Sequence, residues 1–500
     1  MSLASRRNPR VVVPAILSAM FLLVTVLAGQ IDEPRHRASF LNPVRHLTVL
    51  SGKDPASLAL DASRQFYGRA PVVVIAADKD KPAQALGAGA ATRLQAPLLM
   101  PGPGLSTELK RLRAEQVLVI GDAGATRIAV DRVEVPADSV TVDNAVATIV
   151  DGDVFEPVPV PESDTLVITR STGADLVPLT NARNAGATVV ELPGGDPRRD
   201  PRAAKILKAR PDSPVVALGM DAPKFAYTLL AVRKASQQPG GGYFVFPGRT
   251  MVAFYGYPGS AALGALGEQG LKASIKRAKG KARAYKKLSR RPVIPTFEII
   301  ATVASSGAGK DKDYSSEAPL SLLRPWVEKA TKSGMYVVLD LQPGRSDFLR
   351  QAKRYESLLA MPHVGLALDP EWRLTKHQKP LRQIGSVNVA EINRTAAWLA
   401  ALTRKHALPQ KLLILHQFQT RMIRDRGKLN NSHPELSILI HVDGQGTQPE
   451  KQSTWKTIHQ GAPKGIFWGW KNFYDEDDPT LSVKKTWSKV KPRPEFISYQ

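Results

Sequence analysis

Not one cysteine occurs among the 500 residues. Disulfides, thiolate metal sites, cysteine nucleophiles and a lipid-modified N-terminal cysteine are therefore excluded. Acidic residues are scarce as well, 45 against 69 basic ones, leaving a formal charge of +24. That imbalance points to polyanionic surroundings: nucleic acid, anionic lipid, or a phosphate- and carboxylate-rich polymer. No Gly-x-Ser-x-Gly elbow is present, which removes the nucleophile of an α/β-hydrolase esterase. Ser306-Gly307-Ala308-Gly309-Lys310 is not a phosphate loop, because Asp311 replaces the Ser or Thr and Ala304 the first glycine. Gly87-Ala88-Gly89 falls inside an expected helix rather than between strand and helix, so it is no dinucleotide fingerprint. No cofactor is expected.

What is present begins at the N-terminus. Arg6, Arg7 and Arg10 precede an uncharged run from Val11 to Ile31, long enough to span a bilayer with its start in the cytoplasm. Val26-Leu27-Ala28 offers a small-residue cleavage site, so residues 1–31 read as a signal anchor or a signal peptide. Either way the remainder is expected outside the cytoplasm, on the cell membrane through residues 11–31 or secreted and wall-associated. Nucleic acid is then not an expected partner, despite the charge. Residues 32–60 read as a linker.

Over residues 61–238 strands alternate with helices, the pattern of a parallel sheet covered by helices. Val72–Ala77 is a strand, Ala83–Leu94 an Ala-rich helix, Pro97–Met100 a strand ending in Pro101-Gly102-Pro103-Gly104, and Val117–Gly121 the next strand. The order returns with Thr165–Thr169, Ala187–Leu192, the Pro193-Gly194-Gly195 turn and Val215–Gly219, at an offset of about 95 residues. This is one supersecondary unit used twice. The segment resembles the cell-wall-binding repeat 2 family of secreted bacterial proteins over about residues 60–235. The likeness is carried by Val72–Ala77, Leu86-Gly87-Ala88-Gly89-Ala90, Ala96-Pro97-Leu98-Leu99 and Leu118-Val119-Ile120-Gly121-Asp122. It implies attachment to anionic wall polymer. The family's polar turn after the first strand is matched by Asp78-Lys79-Asp80 but not by Arg170-Ser171-Thr172.

Residues 245–500 carry a second, more regular alternation. Strands are expected at Val252–Tyr257, Pro295–Thr302, Met335–Leu341, His363–Leu368, Leu412–Phe418, Leu436–Val442 and Gly465–Trp470, with helical patterns between, the first over Ala261–Lys287. About seven strand–helix units predict a (β/α)8-like barrel, with an open doubly wound sheet as the alternative. The fold class is therefore α/β: an N-terminal apolar helix, a parallel-sheet repeat domain and a C-terminal barrel.

Polar residues gather at the strand ends, where such barrels build their active sites. His363 to Trp372 ends in Asp369 and Glu371, which alternation places on one side together with Gly365 and Ala367. Asp340, Asp369, Glu371 and Asp443 are the candidate catalytic carboxylates; Tyr255, Tyr257, Glu298, His416, Gln417, His441, Trp468 and Trp470 are candidate sugar contacts. Flat rings stack on sugar faces, and paired carboxyl groups protonate and attack a glycosidic bond. This half resembles glycoside-hydrolase-type TIM barrels. Its Asp369-x-Glu371 ending is similar to that of chitinase-like enzymes, but Gly365 and Ala367 stand where those carry acids. The expected function is hydrolysis of a cell-wall or extracellular polysaccharide, with Glu371 as general acid and Asp369, Asp340 or Asp443 as nucleophile, base or stabiliser. The alternative is a non-catalytic glycan-binding envelope protein, its acids paired with Arg345 or Arg373 or capping a turn. His416, His441, Asp443 and Glu371 are metal-ligand types, yet no His-x-His or His-Glu-x-x-His spacing occurs, and no metal is expected. Ten basic residues and no acid lie between Leu271 and Arg291. They are either a solvated helix face or a dock for anionic envelope polymer or lipid head groups.

Overall fold

The computed structural model describes residues 36–123 and 130–500. The apolar run Val11–Ile31 lies outside them. Among the described residues no helix is long and apolar enough to cross a membrane.

The chain forms two compact units. The first contains two four-stranded parallel sheets. Val72–Ala76 is flanked by Leu98–Leu99 and Gln116–Ile120, with Asp131–Val135 at the edge; Leu166–Thr169 is flanked by Thr188–Glu191 and Val215–Leu218, with Leu47–Leu50 at the edge. The two sheets thus share one strand order, as an internal repeat requires. Val72–Ala76 is buried throughout, the burial expected of an apolar strand covered on both faces. The turn after it starts the helix Lys81–Arg93, whose first turn is capped by Asp80 accepting from the Ala83 amide at 2.9 Å. Helix Leu176–Asn184 of the second copy is tied to the first by Asn181, whose side chain accepts from the Leu98 amide (2.7 Å) and donates to the Leu98 carbonyl (3.1 Å).

The second unit is Gly194–Asp212 together with Met220–Gln500. It is built on a closed barrel of eight parallel strands: β1 Thr250–Gly256, β2 Val293–Ala304, β3 Tyr336–Leu341, β4 Val364–Leu368, β5 Lys411–His416, β6 Leu436–Val442, β7 Phe467–Asn472 and β8 Phe496–Tyr499. Consecutive strands pair throughout, and β8 pairs with β1, Met251 opposite Phe496, to complete the ring. The alternation predicts seven of these strands. The eighth has only four residues and follows Pro492 and Pro494, so it reads as loop. The single long helix expected over 261–287 is instead a one-turn Ala261–Leu263 segment and a helix Leu271–Lys286. Gly264, at φ +109°, ends the first piece.

Inward side chains stack in layers, as in other barrels of this kind. Phe246, Met251, Phe467 and Phe496 close the N-terminal end, with Tyr336, Val338, Ala367, Leu412, Ile414 and Leu439 above them. Gly365 belongs to this packing: a Cβ there would lie 2.6 Å from the Leu412 carbonyl oxygen and 3.2 Å from the Tyr336 ring. No acid can occupy that position. The layer above is polar.

Candidate functional site

Strand alternation carries the polar layer to the C-terminal end of the barrel. Tyr255 follows Met251 and Ala253 inward on β1, Glu298 follows Ile294 and Thr296 on β2, and Asp340 follows Tyr336 and Val338 on β3. Asp369 follows Ala367 at the end of β4, His416 follows Ile414 on β5, and His441 and Asp443 follow Leu439 on β6. All seven are buried. The four candidate carboxylates, from separate stretches of chain, converge. Besides burial, the negative charges of Asp340, Glu371 and Asp443 favour the protonated form of Asp369, and that of Asp443 the protonated form of Glu371.

His416 is the hub. Its Nδ1 lies 2.8 Å from Asp443 Oδ2, and its Nε2 lies 3.1 Å from Glu298 Oε1 and 3.6 Å from Asp340 Oδ1. The Tyr255 hydroxyl donates to Asp340 Oδ2 at 2.8 Å and accepts from Gln342 Nε2 at 3.2 Å. His441 Nε2 contacts the Ser498 hydroxyl at 3.0 Å, and its Nδ1 faces Glu298 Oε1 at 3.8 Å. The Lys471 ammonium sits 3.6 Å from the centre of the Tyr255 ring.

Burial and neighbours divide the ionisation states. Glu371, partly open to solvent, is pushed up to about 7 by desolvation and by the Asp443 charge, against the pull of Lys471. Desolvation raises Asp340 to about 6 and takes Asp369 well above the usual carboxylate range. Asp443 and Glu298 stay below that range despite burial, because the imidazoles beside them favour their charged forms. Desolvation works against the His416 imidazolium, yet the carboxylates of Asp443 and Asp340 hold its pKa well above normal. His441 has no such surplus, and burial lowers it. The site therefore holds carboxyl groups in both protonation states near neutral pH.

Neither arginine expected as an alternative partner takes these acids. Arg373 forks onto Glu391 at 3.0 and 3.2 Å, and Arg345 lies over the Tyr314 ring and donates to the Gln378 carbonyl. Asp369 does cap the short turn Pro370–Trp372, accepting from the Glu371 amide at 3.1 Å. Among the described residues the Glu371 carboxyl has no hydrogen bond.

Several expected sugar contacts lie elsewhere. Trp468 and Trp470 face the helix layer outside β7: Trp468 stacks on His459 at 3.5 Å between centroids, and Trp470 meets Trp455 edge-on at 5.6 Å. The inward residues of β7 are Phe467, Gly469 and Lys471. At Gly469 a Cβ would lie 2.7 Å from the His441 ring, so glycine leaves that ring its place. Tyr257 packs against the core outside the barrel, and Gln417 is spent on the carbonyls of Gln419 and Thr420 and on Arg426. Lys471 and Ser498 also join the site. Lys471 has the inward parity of its strand, and Ser498 lies on the strand that reads as loop.

No family model matches the chain, and no curated protein matches it. Among solved structures it is similar to Cwp8 from Clostridium difficile, at 15% identity and a TM-score of 0.19. The match covers 44% of this chain and 41% of Cwp8, so the chain spans less than half of that protein. It is also similar to Cwp6 from Clostridium difficile, at 13% identity and a TM-score of 0.19, over 69% of this chain and 68% of that one. Overlaps of this degree transfer neither activity nor partner to the chain.

Proposed function

We propose that the barrel hydrolyses a glycosidic bond of a cell-wall or extracellular polysaccharide. The reading is carried by the convergence of Asp340, Asp369, Glu371 and Asp443 at one barrel mouth, with Glu371 the member that solvent reaches and that still holds a proton near neutrality. Glu371 donates its proton to the glycosidic oxygen as the bond to the anomeric carbon breaks. Asp443, next to Glu371 in the field and hydrogen-bonded to His416, is the second carboxylate, taking the proton of the attacking water or bonding the sugar directly. Asp340 and Asp369, at 0% and 3% exposure, act from beneath as supporting groups. The first unit would hold the protein to anionic wall polymer, aided by the basic helix Leu271–Lys286, on the outer side of the membrane.

A second reading, a glycan-binding protein without turnover, is favoured by the burial of Asp340 and Asp369. Assay of the purified full chain against a panel of wall and matrix glycans separates the two. Release of reducing ends that Glu371→Gln abolishes supports hydrolysis. Binding with no release on any glycan gives the second reading, and equal release by wild type and Glu371→Gln ends the first.

A further inference from the structure

Beneath the mouth, three side chains from β2, β5 and β6 face one another across the barrel with their bonding incomplete. Glu298, His416 and His441 are each 0% exposed, and one donor atom of each lies within 4.8 Å of the other two. His416 Nε2 is 3.1 Å from Glu298 Oε1, His441 Nδ1 is 3.8 Å from the same oxygen, and Asp340 Oδ1 is 3.6 Å from His416 Nε2. Donors arranged tetrahedrally around an ion at 2.0–2.2 Å stand about 3.3–3.6 Å apart. The observed separations bracket that range.

The surroundings orient these atoms. The outer nitrogen of His416 is engaged by Asp443 at 2.8 Å, the outer nitrogen of His441 by the Ser498 hydroxyl at 3.0 Å, and the far oxygen of Asp340 by the Tyr255 hydroxyl at 2.8 Å. Each outer partner leaves the opposite atom facing inward, where His416 Nε2 meets Glu298 Oε1 at 3.1 Å, the arrangement by which proteins fix metal-binding imidazoles and carboxylates. On that side Asp340 Oδ1 and His441 Nδ1 are buried without a hydrogen bond, and so is the second Glu298 oxygen, Oε2. Buried polar groups left in that state are expensive. A dication would satisfy them and balance two carboxylates at once.

We propose that Glu298, His416 and His441 bind one divalent transition-metal ion of the zinc class at the floor of the barrel mouth, beside Asp340. Two imidazoles and a carboxylate suit zinc, cobalt, manganese or iron(II) rather than calcium or magnesium, which favour all-oxygen shells. This goes beyond the proposed hydrolysis and does not rest on it. The competing arrangement is a metal-free one, with a His416 imidazolium alone balancing Glu298 and Asp443.

The test is metal analysis of the purified full chain, followed by chelation, dialysis and titration with zinc chloride and with cobalt(II) chloride. The expected result is one ion per folded chain and a cobalt spectrum in the visible range with the intensity of a four-coordinate site. Glu298→Gln and His441→Gln should lose the ion. Ser498→Ala, which removes only an outer partner, should keep its fold by circular dichroism and bind about 10–100-fold more weakly. Absence of binding by folded wild type at micromolar free zinc overturns the proposal. So does unaltered affinity in Ser498→Ala together with unaltered stoichiometry in the two ligand variants. Glu371→Gln should keep the ion while losing turnover, so the metal site and the hydrolysis fail separately.

Discussion

Replacing Glu371 by glutamine tests the chemistry without dismantling the barrel, because its carboxyl group makes no hydrogen bond to the described residues and stands partly in solvent. An ordinary glutamate, titrating near 4.5, would be protonated in well under 1% of molecules at pH 7. At about 7, Glu371 is protonated in roughly half of them, so the barrel multiplies the usable acid about a hundredfold. General acids contribute about 10²–10⁴ in rate, and Glu371→Gln should lose turnover by that factor on any glycan the wild type cleaves. The wild-type rate should fall as pH rises through 7, where the proton is lost. Stability should fall with rising pH as well. Between about pH 4.5 and 7 the folded chain binds more protons at this residue than the unfolded chain, so ionisation weakens the fold as pH rises. Glu371→Gln should therefore be more stable than wild type at pH 8, by at most about 3 kcal/mol and by less for a group that solvent partly screens, with the difference vanishing near pH 4. Rate profiles on a cleaved glycan and urea titrations at several pH values measure both. A variant that is slower but no more stable at pH 8, or a wild-type rate still rising above pH 8, would refute the reasoning.

Further outcomes are expected from other elements. Trp470→Ala, emptying the space against Trp455, should cost about 3–5 kcal/mol of stability in denaturant titration while leaving glycan affinity of the folded fraction unchanged; a selective loss of affinity would return the ring to the substrate side. Reversing the exposed charges Lys272, Lys276, Arg283 and Lys286 together should weaken sedimentation with an anionic polymer, the wild-type binding itself fading as salt rises; equal binding by both would assign the helix face to solvent alone. Lys411, donating to the Met361 and Val364 carbonyls, is pushed down to about 7 by burial, so its folded form binds fewer protons than its unfolded form between about pH 7 and 10.5. Wild type should thus gain on Lys411→Met as pH rises through that window, by up to about 1.4 kcal/mol per pH unit in chemical denaturation; a flat difference would contradict it.

The barrel was readable because its strands are long apolar runs with helices between, and the acids were readable because they end those runs. Asp369 needed only the two-residue alternation of β4, whereas Glu371 lies beyond the strand, in the turn Pro370–Trp372. The same rule misplaced Trp468 and Trp470. β7 is covered on both faces, so both sides of Phe467-Trp468-Gly469-Trp470 are apolar and parity cannot be taken from composition. Gly469 was the inward residue, and only the bulk of His441 on the next strand says so. Glu298 and His416 were visible as polar residues in strands, but their mutual approach depends on barrel closure, which no local pattern encodes. Ser498 was hidden with its strand.

That closure has a consequence for how the protein comes into being. The seam between Met251 and Phe496 joins the first barrel strand to the last, so a ribosome must deliver nearly the whole second unit before the ring can seal. Until then β1 and β7 offer bare backbone edges to any passing chain, including a sister nascent chain. Ser498 arrives with the sealing strand, so His441 acquires its outer partner in the same event that removes those edges.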